Sequence, residues 1–250
     1  MTASTSAELT PRILAIRHGE YGGLGTFAQV CHALGVAHDY LDPGQGQVLE
    51  GALQTYSHVV VLGGAMGAYE VERYPHLRLE YDLIEEALNL HIPLLGICLG
   101  SQMLAQVLGT QVRRGSHGPE VGWHSVSFTS AAGRDPLFQG FPQHLQAFQW
   151  HFDTFDLPQG CTLLAHSDHY LQAFTDNRQA WGLQFHLEVT PKIVGHWVQE
   201  TRDLGNPDRF DLDQILAAGP QYFPSFQNLA EGLMTAFLQR STPAWDQRGN

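Results

Sequence analysis

Short apolar runs alternate with amphipathic stretches along the first half of the chain. The apolar runs cover residues 13–16, 59–62 and 93–97, and the stretches with helical spacing cover residues 27–35, 79–90 and 99–108. Short, wholly apolar runs indicate strands buried on both faces, whereas apolar residues at intervals of three and four indicate helices with one buried face. This alternation is typical of a parallel sheet covered by helices. We therefore predict a three-layer α/β/α fold with a mostly parallel central sheet.

The pattern changes after residue 108. Alternating segments at residues 124–129 and 145–150 predict antiparallel additions to the sheet, and residues 180–186 predict another strand. Residues 204–225 are rich in Asp, Pro and Gly, and a last helical pattern covers residues 226–238. The segment after residue 203 is therefore expected to be a helical extension.

These patterns divide the chain into three parts. Residues 1–10 are small and polar without periodicity, which predicts a flexible tail. Residues 11–203 are expected to form the main domain, and residues 204–250 a helical extension packed on it.

The composition narrows the class of protein. Of 250 residues, 43% are hydrophobic and 15% are charged, which is typical of a globular domain. The formal charge of −12 leaves no basic surface for nucleic acid. No apolar run approaches the roughly 20 residues that cross a bilayer, and the N-terminus lacks the pattern of an export signal. We expect a cytoplasmic protein without a nucleic-acid or membrane partner.

Cys98 lies where an apolar strand runs directly into an amphipathic helix. Gly96 and Gly100 stand two residues before and after it. Small residues at these positions are needed in a nucleophile elbow, because the strand and helix backbones approach closely there. The helix N-terminus favours the reactive thiolate, and the main-chain N–H of Leu99 can donate to an oxyanion. The segment therefore predicts a cysteine nucleophile.

A histidine and a glutamate stand at the end of the late strand predicted at residues 180–186. His186 can act there as the general base for Cys98, and Glu188 can orient its imidazole. The other cysteines, Cys31 and Cys161, have no comparable setting and are interpreted as core residues. Three widely spaced cysteines predict neither a disulfide framework nor a zinc site, as expected in a reducing compartment.

The motifs Gly-Ile-Cys-Leu-Gly-Ser-Gln at residues 96–102 and Phe-His-Leu-Glu at residues 185–188 resemble those of the class I glutamine amidotransferases. The similarity covers about residues 58–190 and is greatest to stand-alone proteins that look like the glutaminase domain of GMP synthase. It implies a flavodoxin-like fold and a triad of Cys98, His186 and Glu188. It also implies a γ-glutamyl substrate, no metal or organic cofactor, and, as a possible partner, a separate synthetase subunit.

The same resemblance suggests further site residues. Gly64, after the strand at residues 59–62, matches the position of the second oxyanion donor, and Gln102 matches a substrate contact. Trp150, His151 and Phe152 align with a loop that holds the amino-acid head group in relatives. Many relatives have glycine in place of Phe152, so this chain's pocket is expected to have a different shape.

Three alternatives stay open. The enzyme can be a self-sufficient hydrolase of γ-glutamyl amides or peptides, or the fold can serve as a non-catalytic glutamine-binding module. The third is a histidine phosphatase, because residues 17–20, Arg-His-Gly-Glu, look like that family's first motif and Ser116-His117-Gly118 like its second. The polar residues 111–115 argue against the buried strand that a second phosphatase motif follows. His18 is instead expected in the first loop at the carboxyl edge of the sheet, and dispensable for γ-glutamyl hydrolysis.

Overall fold

The structure, a computed structural model, describes residues 11–241. The strands in this range are β1 (Arg12–Ile16), β2 (Ala37–Leu41), β3 (His58–Val61), β4 (Leu94–Ile97), β5 (Val112–Arg114), β6 (Glu120–Phe128), β7 (His144–His151), β8 (Asp153–Phe155), β9 (Thr162–His166), β10 (Leu171–Thr175) and β11 (Ala180–Leu183). The α-helices are α1 (Thr26–Ala33), α2 (Leu77–Asn89), α3 (Leu99–Val107), α4 (Pro191–Asp203) and α5 (Leu212–Leu238). The tail predicted at residues 1–10 lies outside this range, as do residues 242–250 of the predicted extension.

Nine strands form one sheet in the order β2-β1-β3-β4-β11-β10-β9-β6-β7. The first five of these pair in parallel, and the remaining four extend the sheet in antiparallel fashion. β5 and β8 form a separate two-stranded ribbon. The parallel strands point their carboxyl ends to one edge of the sheet, which is where ligands bind in α/β folds.

Two apolar cores lie on opposite faces of this sheet. Alternate residues of β1 serve different cores, with Ile13 and Ala15 in one and Leu14 and Ile16 in the other. Helices α1, α4 and α5 contribute to the first core, and α2 and α3 to the second. This arrangement explains why the central parallel strands β3 and β4 are almost wholly apolar and buried along their length, and it confirms the predicted three-layer α/β/α fold.

The C-terminal helix is longer than the sequence pattern indicates. The pattern predicts a start at Phe226, but α5 begins at Leu212, where the side chain of Asp211 accepts a hydrogen bond from the N–H of Gln214. The prediction is wrong because Pro220 and Pro224 lie inside the helix, where proline is normally a breaker. Apolar residues before these prolines, including Ile215, are nevertheless buried in the first core.

Residues 112–114 form a short strand, β5, but its two arginines are exposed and it pairs only with β8 in a ribbon. It is therefore not the buried strand that a second phosphatase motif follows, in agreement with the sequence analysis. One further expectation needs correction. β11 ends at Leu183, so His186 lies in the loop beyond the strand rather than in it. In the described part of the chain, no helix is both long and apolar enough to cross a membrane.

Candidate active site

Cys98 occupies a strained turn between β4 and α3. Its φ of 51° and ψ of −107° are uncommon for a residue with a side chain. A Cβ on Gly96 would lie 2.5 Å from the carbonyl oxygen of Gly100, and a Cβ on Gly100 would overlap the carbonyl oxygen of Val61 in β3. The backbone therefore makes the sharp turn that the glycine spacing predicts, and only glycine fits beside the cysteine at both positions.

The loop after β11 brings His186 and Glu188 to this turn. The main-chain N–H of His186 donates to the carbonyl of Phe148 at 2.9 Å, which fixes the loop against β7. The imidazole Nδ1 lies 2.8 Å from Oε1 of Glu188, and the ring also hydrogen-bonds Cys98. Cys98, His186 and Glu188 are only 5%, 3% and 3% exposed. The three residues thus form a buried hydrogen-bonded chain.

Within this group of three residues, the positive charge lies on the His186 imidazole. Burial opposes the charged form of His186, but the negative charges of Glu188 and Cys98 outweigh it and raise the pKa of His186 to about 10. The arrangement therefore places a charged proton donor, the His186 imidazolium, beside the Cys98 sulfur near neutral pH.

Two main-chain segments border Cys98 where an oxyanion would form. Leu99 is the first residue of α3, so its N–H has no acceptor within the helix. Gly63 and Gly64 follow β3, and a Cβ on Gly63 would lie 2.8 Å from Cε1 of His186. A Cβ on Gly64 would lie 2.8 Å from the Leu99 side chain. The predicted donors, Gly64 and Leu99, are therefore neighbours.

Cys98 lies at the junction of two lobes of an open cleft. We call the first the α4 lobe; it has a volume of about 360 Å³ and is lined by His18, Glu20, Tyr21, Trp197, Glu200 and Leu204 among others. We call the second the Arg114 lobe; it has a volume of about 340 Å³ and is lined by Tyr69, Gln102, Arg114, Trp150, His151 and Asp153 among others. His186 lines the α4 lobe and Gln102 the Arg114 lobe, so the two lobes differ in chemistry.

The Arg114 lobe carries opposite charges side by side. The Arg114 guanidinium stacks 4.4 Å above the Phe152 ring, and one of its nitrogens lies 3.9 Å from Oδ1 of Asp153. Partial burial, together with the charge and hydrogen bond of Asp153, raises the pKa of Tyr69. Sequence analysis does not identify Arg114 or Tyr69, because their positions on a short ribbon and a loop carry no motif.

Some of the side chains expected to bind substrate are engaged in hydrogen bonds within the protein, and others border the cleft. Gln102 donates from Nε2 to the carbonyl of Asp153 and to the side chain of Gln184, at 3.3 and 3.2 Å. Both ring nitrogens of His151 are engaged, with the Asp153 carbonyl and with Glu120, so this imidazole supports the loop from inside. The carbonyl of Trp150 lies 3.8 Å from the Cys98 sulfur. The Phe152 ring lies beneath the Arg114 guanidinium and lines the Arg114 lobe.

The two halves of the phosphatase-like pattern lie apart. His18 lines the α4 lobe, at the carboxyl edge of the sheet as expected. His117 stacks on His169 with ring centroids 4.7 Å apart and lines a different cleft. The two motifs therefore do not share a site. Nor do residues 11–241 contain a cluster of three or more His, Cys, Asp or Glu side chains arranged to hold a metal ion.

Comparisons with known proteins identify the family of this chain. Residues 36–201 match the sequence profile of the family glutamine amidotransferase class-I. The glutamine amidotransferase-like protein YfeJ of Salmonella typhimurium is 27% identical over 195 residues, which are 76% of this chain and 81% of YfeJ. The glutamine-hydrolysing GMP synthase of Thermotoga maritima is 34% identical over 135 residues, which are 52% of this chain and 24% of that enzyme. This chain therefore spans only a small part of the complete synthase.

Solved structures give the same result for the fold. The crystal structure of a glutamine amidotransferase from Thermotoga maritima superimposes with a TM-score of 0.86 and 42% sequence identity, covering 92% of this chain and 99% of that one. The family match spans more than half of the chain, and it includes Cys98 and His186. This chain belongs to the class I glutamine amidotransferase family.

Proposed function

We propose that this protein hydrolyses a γ-glutamyl amide, with L-glutamine as the first candidate, through a thioester on Cys98. The observation that carries this proposal is the buried hydrogen-bonded chain of Cys98, His186 and Glu188 at a strained turn that opens onto a cleft. Family membership supports the substrate class.

The reaction follows from the positions of these groups. The Cys98 thiolate attacks the γ-carboxamide carbon, and the N–H groups of Leu99 and Gly64 stabilise the oxyanion that forms. The His186 imidazolium donates its proton to the nitrogen, which leaves as ammonia or an amine, and a γ-glutamyl thioester remains on Cys98. Neutral His186 then takes a proton from water, whose oxygen attacks the thioester, and glutamate and the thiolate–imidazolium pair are produced. Glu188 keeps the imidazole oriented and stabilises its charge.

In this proposal, each lobe of the cleft binds one end of the substrate. His186 must reach the leaving nitrogen, and it lines the α4 lobe, so the amine departs there. The Arg114 lobe then receives the amino-acid head group. Arg114 offers a guanidinium for the α-carboxylate, and Asp153 offers a carboxylate for the α-ammonium group.

The size and charge of the α4 lobe favour a second candidate, the self-sufficient hydrolysis of N-substituted γ-glutamyl amides. Ammonia needs about the 30 Å³ that one water occupies, whereas this lobe has about 360 Å³. Among the described residues, its lining includes the carboxylates of Glu20 and Glu200 and no Lys or Arg, which suits a basic amine. A glutaminase that serves a separate synthetase remains the other version, and the similarity to part of a GMP synthase supports it.

The test is glutamate release by the purified protein from L-glutamine and from γ-glutamyl amides of methylamine and of a diamine. We expect turnover by the wild type, none by Cys98→Ala, and near wild-type turnover by Cys31→Ala, because Cys31 is a core residue in α1. A higher kcat/KM for the diamine amide than for glutamine would favour the second candidate. Equal loss in the two cysteine variants would contradict the assigned nucleophile, and binding without turnover would favour a glutamine-binding module.

A further inference from the structure

A second buried histidine–carboxylate pair lies on the other side of the Gly63–Gly64 loop. Nε2 of His18 lies 2.7 Å from Oε2 of Glu80, and Nδ1 of His18 lies 2.9 Å from the carbonyl oxygen of Gly63. The side chains of His18 and Glu80 are 1% and 0% exposed. The mechanism above uses neither of them, although His18 lines the cleft that contains Cys98.

The pair determines which way one peptide group points. The carbonyl of Gly63 and the N–H of Gly64 belong to the same peptide bond, which is trans. In a trans peptide these two groups point in opposite directions. Because the Gly63 carbonyl accepts a hydrogen bond from His18, the Gly64 N–H is directed away from His18. Glycine on both sides of a peptide leaves its rotation nearly free, so an external contact is needed to hold one orientation.

We propose that His18, held in place by Glu80, is a positioning residue that locks the Gly63–Gly64 peptide with the Gly64 N–H directed at the oxyanion. This inference rests on the proposed function, and it adds two residues that do not touch the reacting atoms. It also changes the expectation, drawn from the sequence, that His18 is dispensable.

Packing and charge support the lock. A Cβ on Gly64 would lie 2.8 Å from Cγ of His18, so the imidazole packs directly on the peptide that it holds. The carbonyl of Gly63 can only accept a hydrogen bond, so Nδ1 carries the proton and the side facing Glu80 is free to share a second one. Burial opposes charge on His18, but the hydrogen bond and charge of Glu80 and the Gly63 carbonyl outweigh it and raise the pKa of His18.

The position of Glu80 calls for an explanation. It lies on the buried face of α2, and its second oxygen, Oε1, has no hydrogen-bond partner among the described residues. A fully buried carboxylate is costly unless it is paired, so a purely apolar side chain would be the simpler choice for this helix face. The Glu80 carboxylate is explained if its role is to hold the His18 ring against the Gly63 carbonyl.

The test distinguishes the roles of the two ring nitrogens of His18. All variants carry Glu80→Gln, so that no unpaired buried carboxylate remains when His18 is changed. In this background His18→Asn places an amide nitrogen near the Nδ1 position and can still donate to Gly63, whereas His18→Gln reaches the Nε2 position and cannot. His58→Gln in the same background is the control, because His58 is also a buried histidine and bonds the Phe237 carbonyl at 3.0 Å, at the opposite end of β3.

Relative to the Glu80→Gln protein, we expect His18→Gln to lower kcat for γ-glutamyl hydrolysis by about 100-fold, which is the usual cost of losing one oxyanion donor. KM should stay within about threefold of the value for the Glu80→Gln protein. His18→Asn should keep a kcat at least about tenfold above that of His18→Gln. Alkylation of Cys98 by iodoacetamide forms no oxyanion, so its rate should stay within about threefold in both variants. His58→Gln should reduce stability but leave kcat unchanged.

Equal kcat values for the Asn and Gln variants would overturn the inference, and so would a parallel loss of alkylation and turnover, which would indicate general damage to the site. Failure of the proposed function has a different signature. In that case the wild type itself hydrolyses no γ-glutamyl amide, and the inference fails with it.

Discussion

Glu188 acts on His186 in two ways, by orientation and by charge. Its Oε1 accepts the hydrogen bond from Nδ1, so the other ring nitrogen faces Cys98. Its charge counteracts the burial that would otherwise favour a neutral imidazole. These effects are separable, because glutamine keeps the size of the side chain and removes the charge.

We predict that Glu188→Gln lowers kcat by about 100- to 10,000-fold, which is the contribution of a correctly positioned general acid–base to the rate. The pKa of His186 should fall from about 10, since burial then acts without the opposing charge of Glu188. Steady-state kinetics and NMR titration of the histidine ring measure the two effects. Glu85→Gln, on the exposed side of α2, is the matched control and should leave both unchanged. A Glu188→Gln enzyme with wild-type kcat would contradict the assigned role.

At the scale of elements, the turn between β4 and α3 depends on close contact between a helix and the neighbouring strand. Gly100 lies in the first turn of α3, against the backbone of β3 at Val61. An alanine normally favours a helix over glycine by up to about 1 kcal/mol, but here its Cβ would overlap a main-chain oxygen that cannot move without disturbing the central sheet. The destabilisation caused by this overlap should therefore exceed the gain in helix propensity.

We predict that Gly100→Ala lowers the free energy of unfolding by at least about 2 kcal/mol, as measured by urea denaturation. Gly195→Ala is the matched control, because Gly195 lies in α4 and a Cβ added there would meet no atom of the described residues within 4 Å. It should be neutral or gain up to about 1 kcal/mol. Similar stability of the two variants would show that the approach of α3 to β3 is looser than the structure indicates.

The elements that the sequence predicts well are those with one simple environment. The strands β1, β3 and β4 give continuous apolar runs, and α2 gives a regular helical spacing of apolar residues. Each pattern is simple because the element packs against the same kind of neighbour along its length. The sequence pattern does not predict β9 and β10. The end positions of β9 are partly exposed, and β10 buries the polar side chains of Gln172 and Thr175 among apolar ones, so neither strand shows a clear alternation. It also misplaces the start of α5, because tertiary packing of the early residues outweighs two internal prolines.

For the whole molecule, the site is assembled from segments far apart in the chain. That Cys98, His186 and Glu188 lie together could be predicted, since a turn with two glycines and a histidine–glutamate pair can be recognised from local sequence. Arg114 and Glu80 could not, because their contribution depends on which loop and helix the fold brings to the carboxyl edge of the sheet. Local sequence thus indicates the proposed nucleophile and base, and the tertiary fold adds the groups around them.

The same reasoning explains why the cleft has two lobes. The β1–α1 loop and α4 form one wall together, where Tyr21 stacks on His196 with ring centroids 3.8 Å apart and Trp197 donates to the Tyr21 carbonyl. The opposite lobe is built from the β5–β8 ribbon and the loop after β3. Cys98 lies where these units meet, so in the proposed reaction the acyl group and the leaving group occupy separate environments.

The most direct test of the central claim is to look for the acyl-enzyme itself. The protein is mixed with L-glutamine or an N-substituted γ-glutamyl amide, quenched in acid within one turnover, and mapped by peptide mass spectrometry. We predict a γ-glutamyl adduct on the peptide that contains Cys98, lost on treatment with hydroxylamine as a thioester should be. Glutamate release with no adduct on Cys98, or with the adduct on Cys31 or Cys161, would contradict the account.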